Sequence, residues 1–156
     1  MLTRKASKED AQEILDLRNA AISFQCSESY SECEIENWTN ISLSSSFINL
    51  VADHCYVATV NSFIVATGMI NLETGKLDAL FVHPQYMRAG IGKHMMILLE
   101  SLALQAGLKQ LHLESTLNAV KFYRSLGFIG DTFSKYQTSK GLSLACLPMT
   151  KIIDNN

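Results

Sequence analysis

Apolar residues recur near helical spacing at Ala11, Ile14, Leu15, Ala21 and Ile22, which predicts an amphipathic helix running to about Phe24. Ser7-Lys8-Glu9-Asp10 ahead of it resembles a capping box, in which the serine hydroxyl and a carboxylate three residues on satisfy free amides at the helix start. Residues 2–5 form a short first strand. From Cys26 to Glu36 the pattern turns acidic and serine-rich, so a polar loop precedes a second short helix, expected around residues 35–43 with Trp38 on its buried side. Residues 56–60 and 63–71 are β-branched and aromatic and are separated by Asn61-Ser62, the pattern of a hairpin. Gly75 then turns the chain into a strand at residues 76–82.

After Pro84 and a short loop, the pattern predicts a helix over about 90–106 closed by Gly107, a strand at 108–114, and a helix at 118–126 ended by Gly127. Two last strands, near 128–137 and 142–151, meet at a turn around Ser139-Lys140-Gly141. Antiparallel strands at both ends surround a parallel crossover. The expected fold is α/β (α+β): one domain over 1–156, with a mixed central sheet of about six to seven strands and about four flanking helices.

Composition narrows the function. The 156 residues suit one ordinary domain, and 47% hydrophobic with 18% charged residues is the balance of a folded globular chain. A net charge of −2 without a Lys/Arg cluster argues against nucleic acid as a partner. Apolar runs such as 63–70 are far shorter than the roughly 20 residues that cross a bilayer, and residues 1–6 lack the apolar core of a signal peptide. A cytoplasmic protein that needs no membrane is the expectation. Cys26, Cys33, Cys55 and Cys146 are scattered without a CxxC pair, so neither a metal site nor a catalytic thiol is assigned.

The chemistry-bearing segment runs from Asp78 to Lys93: a strand, a proline-marked exit, a glycine-containing loop and a helix start. Free amides at a helix N-terminus carry partial positive charge, and glycines remove the Cβ atoms that would keep a diphosphate away from them. Two glycines one residue apart also serve ordinary turns. A Rossmann fingerprint would need a third glycine where His94 and Met95 stand, and a Walker loop would need GxxxxGK followed by Ser or Thr.

Leu80-Phe81-Val82-His83-Pro84 followed by Arg88-Ala89-Gly90-Ile91-Gly92 resembles the first signature of the GNAT superfamily of N-acetyltransferases. Asn118-Ala119-Val120-Lys121-Phe122-Tyr123-Arg124-Ser125-Leu126-Gly127-Phe128 is similar to its second. The element order matches over nearly the whole chain, and the motifs cover about its central third. One departure stands out: Met87 occupies the position where the family usually has Gln or Arg. The resemblance implies that main-chain amides from Arg88 through Lys93 hold the pyrophosphate of acetyl-CoA, with Arg88 or Lys93 adding charge.

Further roles follow from the resemblance alone. The pantetheine arm would pair with the exposed edge of the strand at 78–82, and an amide near Leu80, Phe81 or Val82 would polarise the thioester carbonyl. Tyr123 would supply a proton or hydrogen bond to the departing thiolate, and Asn118 would cap its helix or bond the pantetheine arm. Asp78 is the leading general base, because strand alternation puts it on the face of Leu80 and Val82; Glu114, His83 and His112 are alternatives, and an ordinary solvent-exposed carboxylate is the competing reading. Glu28, Tyr30 and Glu32 form an acidic loop that reads first as a solvated segment and second as an acceptor wall.

The expected activity is acetyl transfer from acetyl-CoA to a primary amine of a small molecule. The alternatives are a protein or peptide amine as acceptor, or a non-catalytic acetyl-CoA-binding module. The C-terminal hairpin offers an edge strand for a homodimer.

Overall fold

A computed structural model of the protein describes residues 1–154. The chain runs β1 (Leu2–Lys5), α1 (Ala11–Gln25), α2 (Glu32–Thr39), α3 (Ser45–His54), β2 (Cys55–Val60), β3 (Phe63–Ile70), β4 (Lys76–Val82), α4 (Ile91–Gln105), β5 (Gln110–Ser115), α5 (Val120–Ser125), β6 (Ser134–Gln137) and β7 (Ser143–Ile152). The strands form a seven-stranded sheet in the order β1-β2-β3-β4-β5-β7-β6, antiparallel except where β4 and β5 run parallel. Five helices flank it.

Local chemistry explains most boundaries. Asn61 and Ser62 both adopt positive φ, 50° and 67°, as a tight two-residue hairpin between β2 and β3 requires. Two helices differ from the sequence reading. α2 begins at Glu32 because the Ser31 hydroxyl accepts from the Glu34 amide while the Glu34 carboxylate accepts from the Ser31 amide. α3 was not expected: Ser44 caps it by accepting from the Phe47 amide, and Val51 anchors it in the core. The second GNAT-like segment starts with a 3-10 turn, Leu117–Ala119, before α5. The first of the two last strands is shorter than expected, Ser134–Gln137, with a single bridge from Ile129 to Thr150 upstream of it.

The sheet is covered on both faces. Met96, Leu99 and Ala103 of α4 pack with Ile70, Leu77, Leu111 and Phe128. On the other face, Ala11, Ile14 and Leu17 of α1 and Val51 of α3 pack with Val57, Ile64 and Met69. Tyr30 and Trp38 then extend the core towards β7 through Ile22 and Leu144. Among the described residues no helix is long and apolar enough to cross a membrane.

The feature that positions the site lies at the centre of the sheet. β4 pairs with β5 at only two positions, Lys76 with His112 and Leu77 with Leu113. Residues 79–82 of β4 remain paired with β3, and residues 110–115 of β5 remain paired with β7. The two central strands therefore splay, and the edge of β4 beyond Leu77 faces a gap.

Candidate functional site

A bulge in β4 changes what alternation implies. Ile70 pairs with Leu77 while Met69 pairs with Ala79, so Asp78 is an extra residue without a partner in the ladder. Leu77, Leu80 and Val82 consequently all pack towards α4, whereas Phe81 packs on the side of α1. The strict alternation from Asp78 to Leu80 and Val82 is therefore interrupted at Asp78 itself. Its carboxylate lies 3.7 Å from Lys76 Nζ, which also lies 3.3 Å from Glu114.

The splay opens into a cavity of about 610 Å³, within the range of small-ligand pockets. Leu80, Phe81, Asp78, Glu114, Asn118 and Tyr123 line its inner end. Arg18 and Gln25 of α1, Trp38 of α2, Phe47 and Leu50 of α3, and Tyr136 of β6 also line the cavity. Of the four base candidates, Asp78 and Glu114 face this cavity. His83 and His112 are outside its lining, and the His83 ring is used locally, its Nδ1 accepting from the Gln85 amide at 3.1 Å.

Tyr123 is held by edge-on contacts with Phe122 and Phe128, at centroid distances of 5.2 and 5.6 Å. Burial pushes its phenol well above the usual tyrosine value, so the hydroxyl keeps its proton. That hydroxyl makes no hydrogen bond within the described residues and no buried side-chain oxygen or nitrogen is left unsatisfied, so the group reaches the cavity. Asn118 does not cap a helix. It lies within the 3-10 turn, and its side-chain oxygen accepts from the Cys26 thiol at 3.3 Å.

The start of α4 lies outside the cavity lining, next to α5. Gly90 adopts φ 79°, and a Cβ added there would meet nothing within 4 Å, so glycine serves the left-handed turn and the space beside it stays open. Gly92 has a different reason: a Cβ there would come within 3.3 Å of the Phe122 ring. That close approach seats the α4 N-terminus against the helix that carries Tyr123. The first intrahelical bond of α4 comes from the His94 amide, so the Ile91, Gly92 and Lys93 amides have no helical acceptor, and no side chain caps them. Arg88 and Lys93 are exposed beside them, with Arg88 itself at φ 64°. Met87 points elsewhere, its sulfur receiving a contact from Gln25 Nε2 at 3.3 Å, so it ties the loop to α1.

The acidic loop divides. Glu28 and Glu32 are exposed and outside the cavity lining. Tyr30 is buried, and its hydroxyl donates to the Ala145 carbonyl and accepts from the Leu117 amide, joining β7 to the turn before α5. Arg18, Lys76 and Tyr136 were not singled out from sequence. For Arg18 a signal existed, since it stands one helical turn from Ile14 and from Ile22 on the buried stripe of α1.

The cysteines are free thiols. Burial pushes Cys26 up to about 11 and Cys55 up to about 12, which suppresses thiolate chemistry. Among the described residues no group of three or more His, Cys, Asp or Glu side chains could hold a metal ion.

Residues 26–153 match the family model described as an acetyltransferase (GNAT) domain. No curated protein matches the sequence. Similar solved structures include a GCN5-related N-acetyltransferase from Rhodopseudomonas palustris, 24% identical over 97% of this chain and 94% of that one, with a TM-score of 0.88. The PaiA N-acetyltransferase of Thermoplasma acidophilum, in complex with coenzyme A, is 22% identical over 97% and 98%, with a TM-score of 0.73. The ribosomal-protein-S18-alanine N-acetyltransferase of Escherichia coli is 19% identical over 99% and 95%, with a TM-score of 0.69. At these identities the likeness is one of fold.

Proposed function

The chain belongs to the GNAT family of acetyltransferases, and on that premise we propose that it transfers an acetyl group from acetyl-CoA to a primary amine of a small molecule. The observation that carries this reading is the splay of β4 from β5, which leaves a strand edge open beside an unpartnered Tyr123 hydroxyl in one cavity. Coenzyme A in the Thermoplasma relative supports the choice of donor.

Acetyl-CoA would supply an activated acetyl thioester. The unbonded amides of Ile91, Gly92 and Lys93, with Arg88 and Lys93 at their side, suit its pyrophosphate, and the open space at Gly90 fits the approach of that group. The β4 edge suits the pantetheine arm as an added strand, with an amide at Leu80, Phe81 or Val82 meeting the charge that develops on the acetyl oxygen. Asn118, in the lining of the same cavity, suits a hydrogen bond to the arm.

In the reaction the amine nitrogen attacks the thioester carbon, an N–C bond forms and the C–S bond breaks. Tyr123 donates its hydroxyl hydrogen bond to the departing sulfur, and the proton released from the amine passes to Asp78 or Glu114. Lys76 sits between these carboxylates and restrains both, so the side chain free to accept is the one that the acceptor displaces from it.

The test is release of free CoA, followed with a thiol reagent, across a panel of primary amines with purified protein. Amine-dependent release that saturates in acetyl-CoA is expected. Saturable acetyl-CoA binding without transfer to any amine would leave only a binding module.

A further inference from the structure

We propose that the acceptor is an aminocarboxylate whose amine meets the carboxylates at the β4–β5 end of the cavity while its own carboxylate seats on the guanidinium of Arg18. This rests on the acetyl-transfer reading above and names the substrate class for the same site.

Arg18 is half-buried at a costly position. Ile14 and Ile22, one turn to either side, are 2% and 1% exposed, and the arginine shares their stripe. A cation so placed is costly to desolvate unless an anion meets it. Yet none of the ion pairs among the described residues involves it. Its partners are neutral: Asn19 Oδ1 at 2.6 Å, and the Trp38 carbonyl at 3.4 and 3.5 Å, the outer limit of a hydrogen bond. These contacts use Nη1 and one donor of Nη2. A tie to the end of α2 needs no more than the Trp38 contact, and it leaves Nε and the second Nη2 hydrogen over, a planar fork that matches a carboxylate.

The cavity carries both signs of charge on different elements. At the splay, Asp78 and Glu114 share one ammonium, Lys76. At the α1 wall, Arg18 is the charged group, and Lys140 from the turn between β6 and β7 is a further cation of the lining. Arg18, Lys76 and Tyr136 all line the same chamber. Trp38, Phe47, Leu50 and Phe81 line the space with apolar surface. A molecule with a cationic amine and an anionic carboxylate on a short carbon frame complements this pattern. A diamine or polyamine would bring its second cation against Arg18, and a neutral amine would leave the guanidinium without an anion.

Purified protein saturated with acetyl-CoA is assayed for CoA release with the common L-amino acids, β-alanine and 4-aminobutyrate, each against its carboxamide, and with 1,4-diaminobutane. The best acid should exceed its carboxamide at least about 10-fold in kcat/KM, the scale of a charge-assisted hydrogen bond, and should exceed the diamine. Arg18→Gln should abolish that preference through KM, leave the KM for acetyl-CoA unchanged, and be partly rescued by Arg18→Lys. A carboxamide or diamine equal to the best acid overturns the proposal, and this comparison uses wild-type protein alone. So does an Arg18→Gln loss that falls equally on acid and carboxamide.

Should no amine be acetylated, calorimetry of the same acids and amides with CoA-saturated protein separates the two claims. Binding of an acid that Arg18→Gln removes sustains the anion seat while transfer fails. Binding of no acid overturns the seat as well.

Discussion

The start of α4, outside the cavity, and the wall that α1, α2 and α3 contribute to it are built on different principles. Around Gly90 the exposed polar groups are main-chain amides, and the residues suit a backbone shape: Gly90 through φ 79° and Gly92 through its approach to Phe122. Along the cavity wall the lining groups are side chains from separate elements, Arg18, Trp38 and Phe47, brought together only by folding. Recognition by backbone compresses into a short local pattern. Recognition by side chains spreads over the chain and leaves no contiguous trace.

The most severe break in this division is Gly90→Asp, which puts a carboxylate beside the free amides. Acetyl-CoA affinity measured by calorimetry should fall by about 100-fold or more, since both charge and the left-handed turn are opposed. Affinity retained in the variant would remove the anion role from this turn.

Tyr30→Phe tests the joint between the two sides. It deprives the Leu117 amide and the Ala145 carbonyl of their shared hydroxyl, and losing such part-buried hydrogen bonds costs about 0.5–1.5 kcal/mol each. The urea midpoint should drop accordingly, and an unmoved midpoint would show that water replaces the hydroxyl.

On the proposed mechanism Tyr123→Phe removes only the hydrogen bond to the leaving sulfur, and it should lower kcat about 10-fold with the KM for acetyl-CoA nearly unchanged. Because burial raises the phenol, its deprotonation lies above the ordinary tyrosine range. The wild-type rate should therefore rise with pH as the amine loses its proton and show no falling limb below about pH 10. A falling limb near pH 8 or 9 would assign the acid to another group.

The smallest effect is expected far from the cavity, at Asp10 before α1. Its hydrogen bond and ion pair with Arg4, 2.7 Å away, hold the carboxyl down at about 2. A depressed folded value means stability that is present above the unfolded value near 4 and lost as pH falls through 2. After solvent screening the contribution is on the order of 1 kcal/mol. Asp10→Asn should remove it, so the stability gap between wild type and variant narrows from pH 5 to pH 2 while kcat stays the same. A gap independent of pH would show that the pair contributes through geometry rather than charge.

What was legible in the sequence follows the same division. The Asn61-Ser62 hairpin, the Gly75 turn and the β-α-β-α series from β4 to α5 carried local signals that tertiary packing did not override. α3 was not legible because its serine-rich start and β-branched Ile48 and Val51 resemble neither a strong helix nor a strand. Its Ser44 cap becomes meaningful only once Val51 is buried. The bulge at Asp78 was not legible, because one unpaired residue in β4 leaves no composition signal here. Arg18 was readable in principle, as a charge on an apolar stripe, but its significance depends on α2 and β6, which are distant in sequence.

The two-residue contact between β4 and β5 has a mechanical consequence. The sheet is two leaves, β1 to β4 and β5 to β6, joined in the hydrogen-bonded plane by a seam only Lys76 and Leu77 long, with α4 as the strap across it. A ligand strand laid along β4 would act as the missing clasp. Ligand occupancy would then stiffen the sheet, and slowed amide exchange in 78–82 and 110–115 on adding CoA would register the two leaves locking into one.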